Sequence, residues 1–139
     1  MIHFFYEDCS PLNQTLEKKL KKTTQLIEKE GFNNGNISVI FCSDDYLLSL
    51  NKKHLNHDYF TDIITFSFNE EGIISGDLFI SVDRTRENAE KNRASFSNEV
   101  ARLVIHGMLH LCGFNDKLEE EAKTMRIKEE EYLKMFGFT

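Results

Sequence analysis

The chain has 139 residues, 40% hydrophobic and 12% aromatic, which suits one packed domain over 1–139 and excludes a disordered segment. A net charge of −6 and a pI near 5.4 exclude a protein that holds nucleic acid through a broad basic surface, so any polyanion must be gripped locally. No apolar run nears the ~20 residues that span a bilayer, and "MIHFFYEDCS" turns acidic without a basic leader, so a cytoplasmic protein with no membrane partner is expected. Cys9, Cys42 and Cys112 are odd in number and show no C-x-x-C pairing, which argues against a disulfide framework.

In chain order, Leu12, Leu16, Leu20, Leu26 and Ile27 recur at near-helical spacing, and Gly31 supplies a stop for a helix over 12–30. Lys18, Lys19, Lys21 and Lys22 read first as the solvated face of that helix, with a local grip on a polyanion as the alternative. "NISVIFC" (36–42) is β-branched and apolar and predicts a buried strand. Ser43 offers an N-cap to a helix over 44–55, whose first turn carries Asp44 and Asp45 against the positive end of its dipole. "DIITFSF" (62–68) and "GDLFISV" (76–82) are two strands, and the turn signal "NEEG" between them predicts an antiparallel hairpin. Residues 83–94 are helix-compatible with Asp83 as cap, and Ser97 caps the next helix, which ends at Gly113. A charged closing helix over 117–136 turns Leu118, Met125 and Leu133 inward. The sum is an α+β fold: a small mixed β-sheet covered by helices, with the histidine helix at its centre.

That helix carries "HGMLHLCGFNDK" (106–117). Residues four apart lie about 40° apart around a helix axis, so His106 and His110 point the same way and can share a cation. Gly113 can take the left-handed conformation that ends a helix and swings the chain back toward the face it has left. Asp116 then arrives at the ligand spacing of H-E-x-x-H-x-x-G-x-x-H, with aspartate in the last place. Asn115 is adjacent, but Asp116 fits the spacing and carries the charge. Two imidazoles and one carboxylate leave a fourth tetrahedral position open, and these donors make one Zn2+ per chain the first choice, with another divalent metal as the alternative. A zinc peptidase would carry Glu after the first histidine as general base, and here that position is Gly107. Cys112 points about 160° away from His110 on the helix and reads as core.

These residues resemble the YbeY family of metal-dependent endoribonucleases, the rRNA maturation factors. "HGMLHLCGF" (106–114) follows the family signature H-G-x-L-H-L-x-G-[YF]-D-H. "LNKKHLNHDYFTDIITFSF" (50–68) resembles its L-N-x-x-[FY]-R-x-x-D-x-x-T-D-V-L-S-F block, "GDLFIS" (76–81) its G-D-I-x-I-S strand, and "EVARLVIHG" (99–107) its helix lead-in. The resemblance implies one zinc held by His106, His110 and Asp116. It also implies cleavage of single-stranded RNA, maturation of the 3′ end of 16S rRNA, ribosome quality control, and the ribosome or its associated proteins as partners. Three positions depart from the pattern: Asp116 and Asn115 stand for His and Asp, and Leu55 stands for the family's basic residue. Non-enzymatic ribosome assembly with a structural metal is the alternative, and a zinc peptidase a further one.

His106 and Arg102 are the candidate catalytic residues. Arg102 lies one turn before His106, where it could meet the scissile phosphate in place of the loop cation, or simply pair with Glu99. Glu99, close to two turns before His106, could orient its imidazole or be exposed. Thr61, Asp62 and Asp77 fall in the matched blocks and are expected to build the sheet edge and groove beside the metal. His54 and His57 read as exposed loop residues that could line the same groove.

Overall fold

The computed structural model describes residues 1–57 and 59–138; Asp58, in the matched 50–68 block, and Thr139 lie outside them. In chain order the elements are β1 (Ile2–Tyr6), α1 (Gln14–Leu20), a 3₁₀ turn (Lys21–Thr24) and α2 (Gln25–Lys29). There follow β2 (Asn33–Cys42), α3 (Asp44–Leu55), β3 (Ile63–Ser67) and β4 (Ile73–Ser81). The chain closes with α4 (Val82–Lys91), α5 (Phe96–Leu111) and α6 (Glu119–Met135). The four strands form one mixed sheet in the order β1-β2-β4-β3, so the α+β expectation holds. β1 and β4 both pair with β2 in parallel, and β3 pairs antiparallel with β4 as the "NEEG" turn predicts.

The sheet's two faces are decided by period-2 alternation along β4. Ile74, Leu78 and Ile80 belong to the larger core, which also takes in α1, α2, α5 and α6. Phe79, one residue out of phase, joins a smaller cluster with Cys42, Leu47, Leu50, Ile64 and Phe66 beneath α3. α5 is the central helix: ten of its sixteen residues are buried, and few polar positions remain besides its histidine edge. It can lie close to the sheet because Gly107 faces Leu78 and Ile63, where a Cβ would come within 2.8 Å of a Leu78 methyl. Gly76 does the same for the strand, since a Cβ there would stand 2.5 Å from the Phe66 carbonyl and 2.7 Å from Leu111.

Several local expectations are met. Ser43 accepts from the Tyr46 amide and caps α3, and Gly31 and Gly113 both take positive φ at helix ends. Others are corrected. The predicted helix over 12–30 is α1 and α2 joined through a 3₁₀ turn. α4 is capped by Ser81, not Asp83, whose carboxylate instead accepts from the Asp44 amide at the start of α3. α5 is capped by Ser95 rather than Ser97, which brings Phe96 into the first turn to pack on the core under Arg86. Leu118 does not face inward: it sits at the N-cap position of α6, 67% exposed, while Met125 and Leu133 are buried as expected. β1, which the sequence reading left unassigned, alternates Ile2, Phe4 and Tyr6 inward against His3 and Phe5 outward.

Candidate metal centre

His106 and His110 sit on the last turns of α5, at the edge that faces away from the main core. The helix ends in a double reversal: Phe114 N–H bonds the Leu109 carbonyl and Gly113 N–H bonds the His110 carbonyl, with Gly113 at φ 102°. This pair of bonds satisfies carbonyls left open at a helix C-terminus, and the left-handed residue turns the chain back on itself. The turn delivers Asp116. Its Oδ2 lies 3.3 Å from His106 Nε2 and 3.4 Å from His110 Nε2, and the two Nε2 atoms are 2.9 Å apart.

These separations test whether the residues fit a metal. Four tetrahedral donors at zinc-like bond lengths of about 2.0–2.1 Å stand about 3.3–3.4 Å from one another. Both carboxylate–imidazole distances match that value, and the imidazole pair, which is closer, needs only a small spreading of two side chains. Among the described residues this is the one His/Cys/Asp/Glu group whose ligand atoms converge in this way. Side-chain exposures of 19%, 25% and 40% for His106, His110 and Asp116 place the centre at the mouth of a cleft rather than in the interior.

The orientation of His106 is fixed from behind, by a carboxylate of α6. Glu129 on α6, 8% exposed, places Oε2 2.6 Å from His106 Nδ1. A carboxylate there accepts a hydrogen bond from Nδ1–H and holds the proton on that nitrogen, so Nε2 presents its lone pair to the cleft. Burial alone would push the His106 pKa down, but the hydrogen bond and charge of Glu129, with Asp116 and Asp62 beyond it, raise it above the ordinary value. Glu99 is buried about two turns before His106 on the same side of α5, where its carboxylate accepts from Asn92 at 3.2 Å and stands beside Arg102. Arg102 donates to Glu129 Oε1 at 3.2 Å and to Glu130, with Glu99 Oε2 4.0 Å from its Nε. Its guanidinium is committed to carboxylates of α6, and Arg102 is not among the residues lining the cleft.

The cleft beside the histidines has a volume of about 590 Å3. One wall is β3, which ends the sheet, so its outer side pairs with no described strand. Ser81 N–H bonds the Asp62 carbonyl and Phe68 N–H bonds the Ser75 carbonyl, so the even-numbered residues of β3 bond to β4. The peptide groups of Ile63, Thr65 and Ser67 therefore face the cleft. Thr61 and Asp62 line it, the latter held by Asn88. Asp77 does not: it pairs in register with Phe66 on the α3 face of the sheet, where burial raises its carboxyl pKa. His57, Tyr59, Leu55, Lys117 and Asn51 complete the rim. Lys18, Lys21 and Lys22 are exposed on the far helices, the solvated face expected of them.

A helix-borne histidine pair, completed by a carboxylate from the next turn and opening on a sheet edge, defines a class: small α+β domains with a candidate mononuclear metal centre. Within that class, the chain belongs to the Endoribonuclease YbeY family, whose model matches residues 4–137. It is 42% identical over 136 residues to Endoribonuclease YbeY of Flavobacterium johnsoniae, covering 98% of this chain and 97% of the relative. Over 102 residues, 73% of this chain and 72% of the relative, it is 51% identical to Endoribonuclease YbeY of Parabacteroides distasonis. The solution structure of TM1509 from Thermotoga maritima superposes with a TM-score of 0.70 at 28% identity, covering 98% of this chain and 89% of that one. The resemblance drawn from the sequence motifs is thereby borne out, and neither the assembly-factor nor the peptidase alternative is favoured.

Proposed function

We propose that this protein is a metal-dependent endoribonuclease that cuts single-stranded RNA, with ribosomal RNA as its substrate in the cytoplasm, in contact with the ribosome or its associated proteins. One observation carries the reading: His106 Nε2, His110 Nε2 and Asp116 Oδ2 converge at 2.9–3.4 Å from one another at the mouth of a 590 Å3 cleft. Zinc is the first choice for this nitrogen and oxygen donor set. A divalent cation held there supplies Lewis acidity, drawing charge from a phosphoryl oxygen and making a nearby water or hydroxyl a better nucleophile.

The chain's own residues hold the geometry. Glu129 keeps the His106 proton on Nδ1, and Arg102, pinned between Glu129 and Glu130, holds that carboxylate in place. Arg102 is therefore proposed as a positioning residue rather than a phosphate contact. The β3 edge presents backbone N–H groups that can donate to a strand lying along the cleft. A water or the neighbouring 2′-hydroxyl forms the new P–O bond as the bond to the leaving oxygen breaks, and the proton lost by the nucleophile is matched by one taken up by the leaving oxygen. Gly107, where a peptidase carries its glutamate base, does not impair this scheme.

The test is cleavage of a short single-stranded RNA by purified protein, with and without chelator, alongside His110→Ala and elemental analysis. We expect about one zinc per chain, cutting abolished by chelator, and the loss of both metal and activity in the variant. Chelator-insensitive cutting, or full metal content without any cutting, would overturn the assignment.

A further inference from the structure

His57, Tyr59, Thr61 and Asp62, from the loop between α3 and β3, line the cleft together with Asp116. The loop is shaped by Asn51, 2% exposed, whose amide donates to the Tyr59 carbonyl at 2.9 Å and whose own carbonyl accepts from His57 N–H at 3.2 Å. Asn56 takes the left-handed conformation at φ 58°, which turns the chain out of α3 and back over the cleft. Held this way, the rings of His57 and Tyr59 stack 5.0 Å apart at 21°, with a 3.0 Å hydrogen bond between the tyrosine hydroxyl and His57 Nδ1. Tyr59 is nevertheless 56% exposed. One face of its ring is spoken for by the imidazole, and the other is left to solvent on the cleft rim.

Charge gives this placement its meaning. Among the described lining residues, Lys117 is the one Lys or Arg, and it is set against Asp62 and Asp116 on a chain of net charge −6. Leu55 occupies the rim, 41% exposed, where the sequence pattern leads one to look for a cation. With one lysine against two aspartates, the lining offers few cations of its own for phosphate contacts beyond the charge a bound metal ion would bring, so phosphates alone give a weak grip. The faces of unpaired bases remain, and these stack on aromatic rings irrespective of their charge.

We propose that the His57–Tyr59 pair is a nucleobase-stacking platform, and that the protein takes hold of single-stranded RNA chiefly by the face of a base set on Tyr59, beside the metal centre. This rests on the endoribonuclease reading and says how that substrate is held. It also explains a requirement for single strands: a base within a duplex has both faces covered by its neighbours and cannot reach the ring.

The experiment measures steady-state cleavage of a labelled 12-nucleotide RNA by full-length, metal-loaded protein, with metal content as a parallel readout. Losing one base–aromatic stack weakens binding by roughly tenfold or more. Tyr59→Ala should raise KM by about that factor while keeping its metal, and Tyr59→Phe, which keeps the ring, should restore most of the loss. An RNA with an abasic position at the stacked nucleotide should show no further loss with Tyr59→Ala. Raising salt from 50 to 200 mM should cost the wild type less than about tenfold, against the 10³–10⁵ expected of six to ten phosphate contacts. If the wild type cuts RNA but Tyr59→Ala keeps its KM, if the salt dependence is steep, or if duplex RNA competes as well as single strands, the platform is refuted and the nuclease stands. If the wild type cuts no RNA at all, the nuclease reading falls and the platform with it.

Discussion

Replacing Glu129 tests the contact that sequence reading missed and the metal centre leans on most. Its carboxylate makes two short contacts, 2.6 Å to His106 Nδ1 and 3.2 Å to Arg102, and is 8% exposed, so water cannot readily stand in for either. Glu129→Gln keeps the shape and can still accept the Nδ1 proton through its amide oxygen, so it removes charge alone; Glu129→Ala removes the acceptor as well. Outer partners of metal-binding histidines are worth about 10–100-fold in metal affinity. That corresponds to about 1.4–2.7 kcal/mol, and we expect the glutamine variant near the lower figure and the alanine variant near the upper. The cost to folding should be smaller, about 1 kcal/mol, because Arg102 is 25% exposed and keeps Glu130 as a partner. Competition for Zn2+ against a chromophoric chelator measures the first quantity, and urea denaturation of the metal-free protein the second. If both variants fold and bind Zn2+ within twofold of the wild type, Glu129 does not orient His106 and the account of the centre is wrong.

Two further outcomes test the frame around the site. Gly76→Ala drives a Cβ to 2.5 Å from the Phe66 carbonyl and 2.7 Å from Leu111, so β3 or the end of α5 must move; we expect a loss of about 1–3 kcal/mol by urea denaturation. An unchanged denaturation midpoint would show that the sheet and helix are less closely packed than described. Glu30 joins α2 to α6 by accepting from Lys128 Nζ at 2.9 Å and from the Tyr132 hydroxyl. Burial pushes its pKa up, but these donors and the Lys128 charge outweigh it and leave the pKa below the ordinary 4.5. A carboxylate with a depressed folded-state pKa contributes its full stability above the unfolded value and loses it as pH falls through the folded one. Wild type should therefore exceed Glu30→Gln in thermal stability by a constant margin from pH 6 to 7, and the margin should shrink below about pH 4.5; a margin flat down to pH 3 would refute this.

What could be read from the sequence was local. Ser43 and the two aspartates after it define the start of α3 within three residues, and the three metal-facing side chains fall within eleven. A helical repeat and one glycine reversal suffice to bring these together. β1 escaped because it is five residues long, its outward positions include apolar Phe5 beside His3 so that alternation is blurred, and it pairs with a strand 35 residues on, as Ile2 with Ile37. The caps at Asp83 and Ser97 were misplaced because each lies two residues from a serine that serves better, and only tertiary packing chooses between them. Glu129 was out of reach for a stronger reason. It stands 23 residues after His106 on a helix whose pattern of charges gives no sign of which one turns inward; only the docking of α6 on α5 selects it.

The unpaired side of β3 has a meaning beyond the cleft. A row of peptide groups with no neighbour is where a second chain can add a strand, and repeated addition leads to aggregation. Here the end of α5 and the turn that carries Asp116 stand across the cleft from that row, with acidic Asp62 among the lining residues. The groove that admits a guest is therefore also a guarded seam, and whatever keeps that turn in place shields the protein from its own copies.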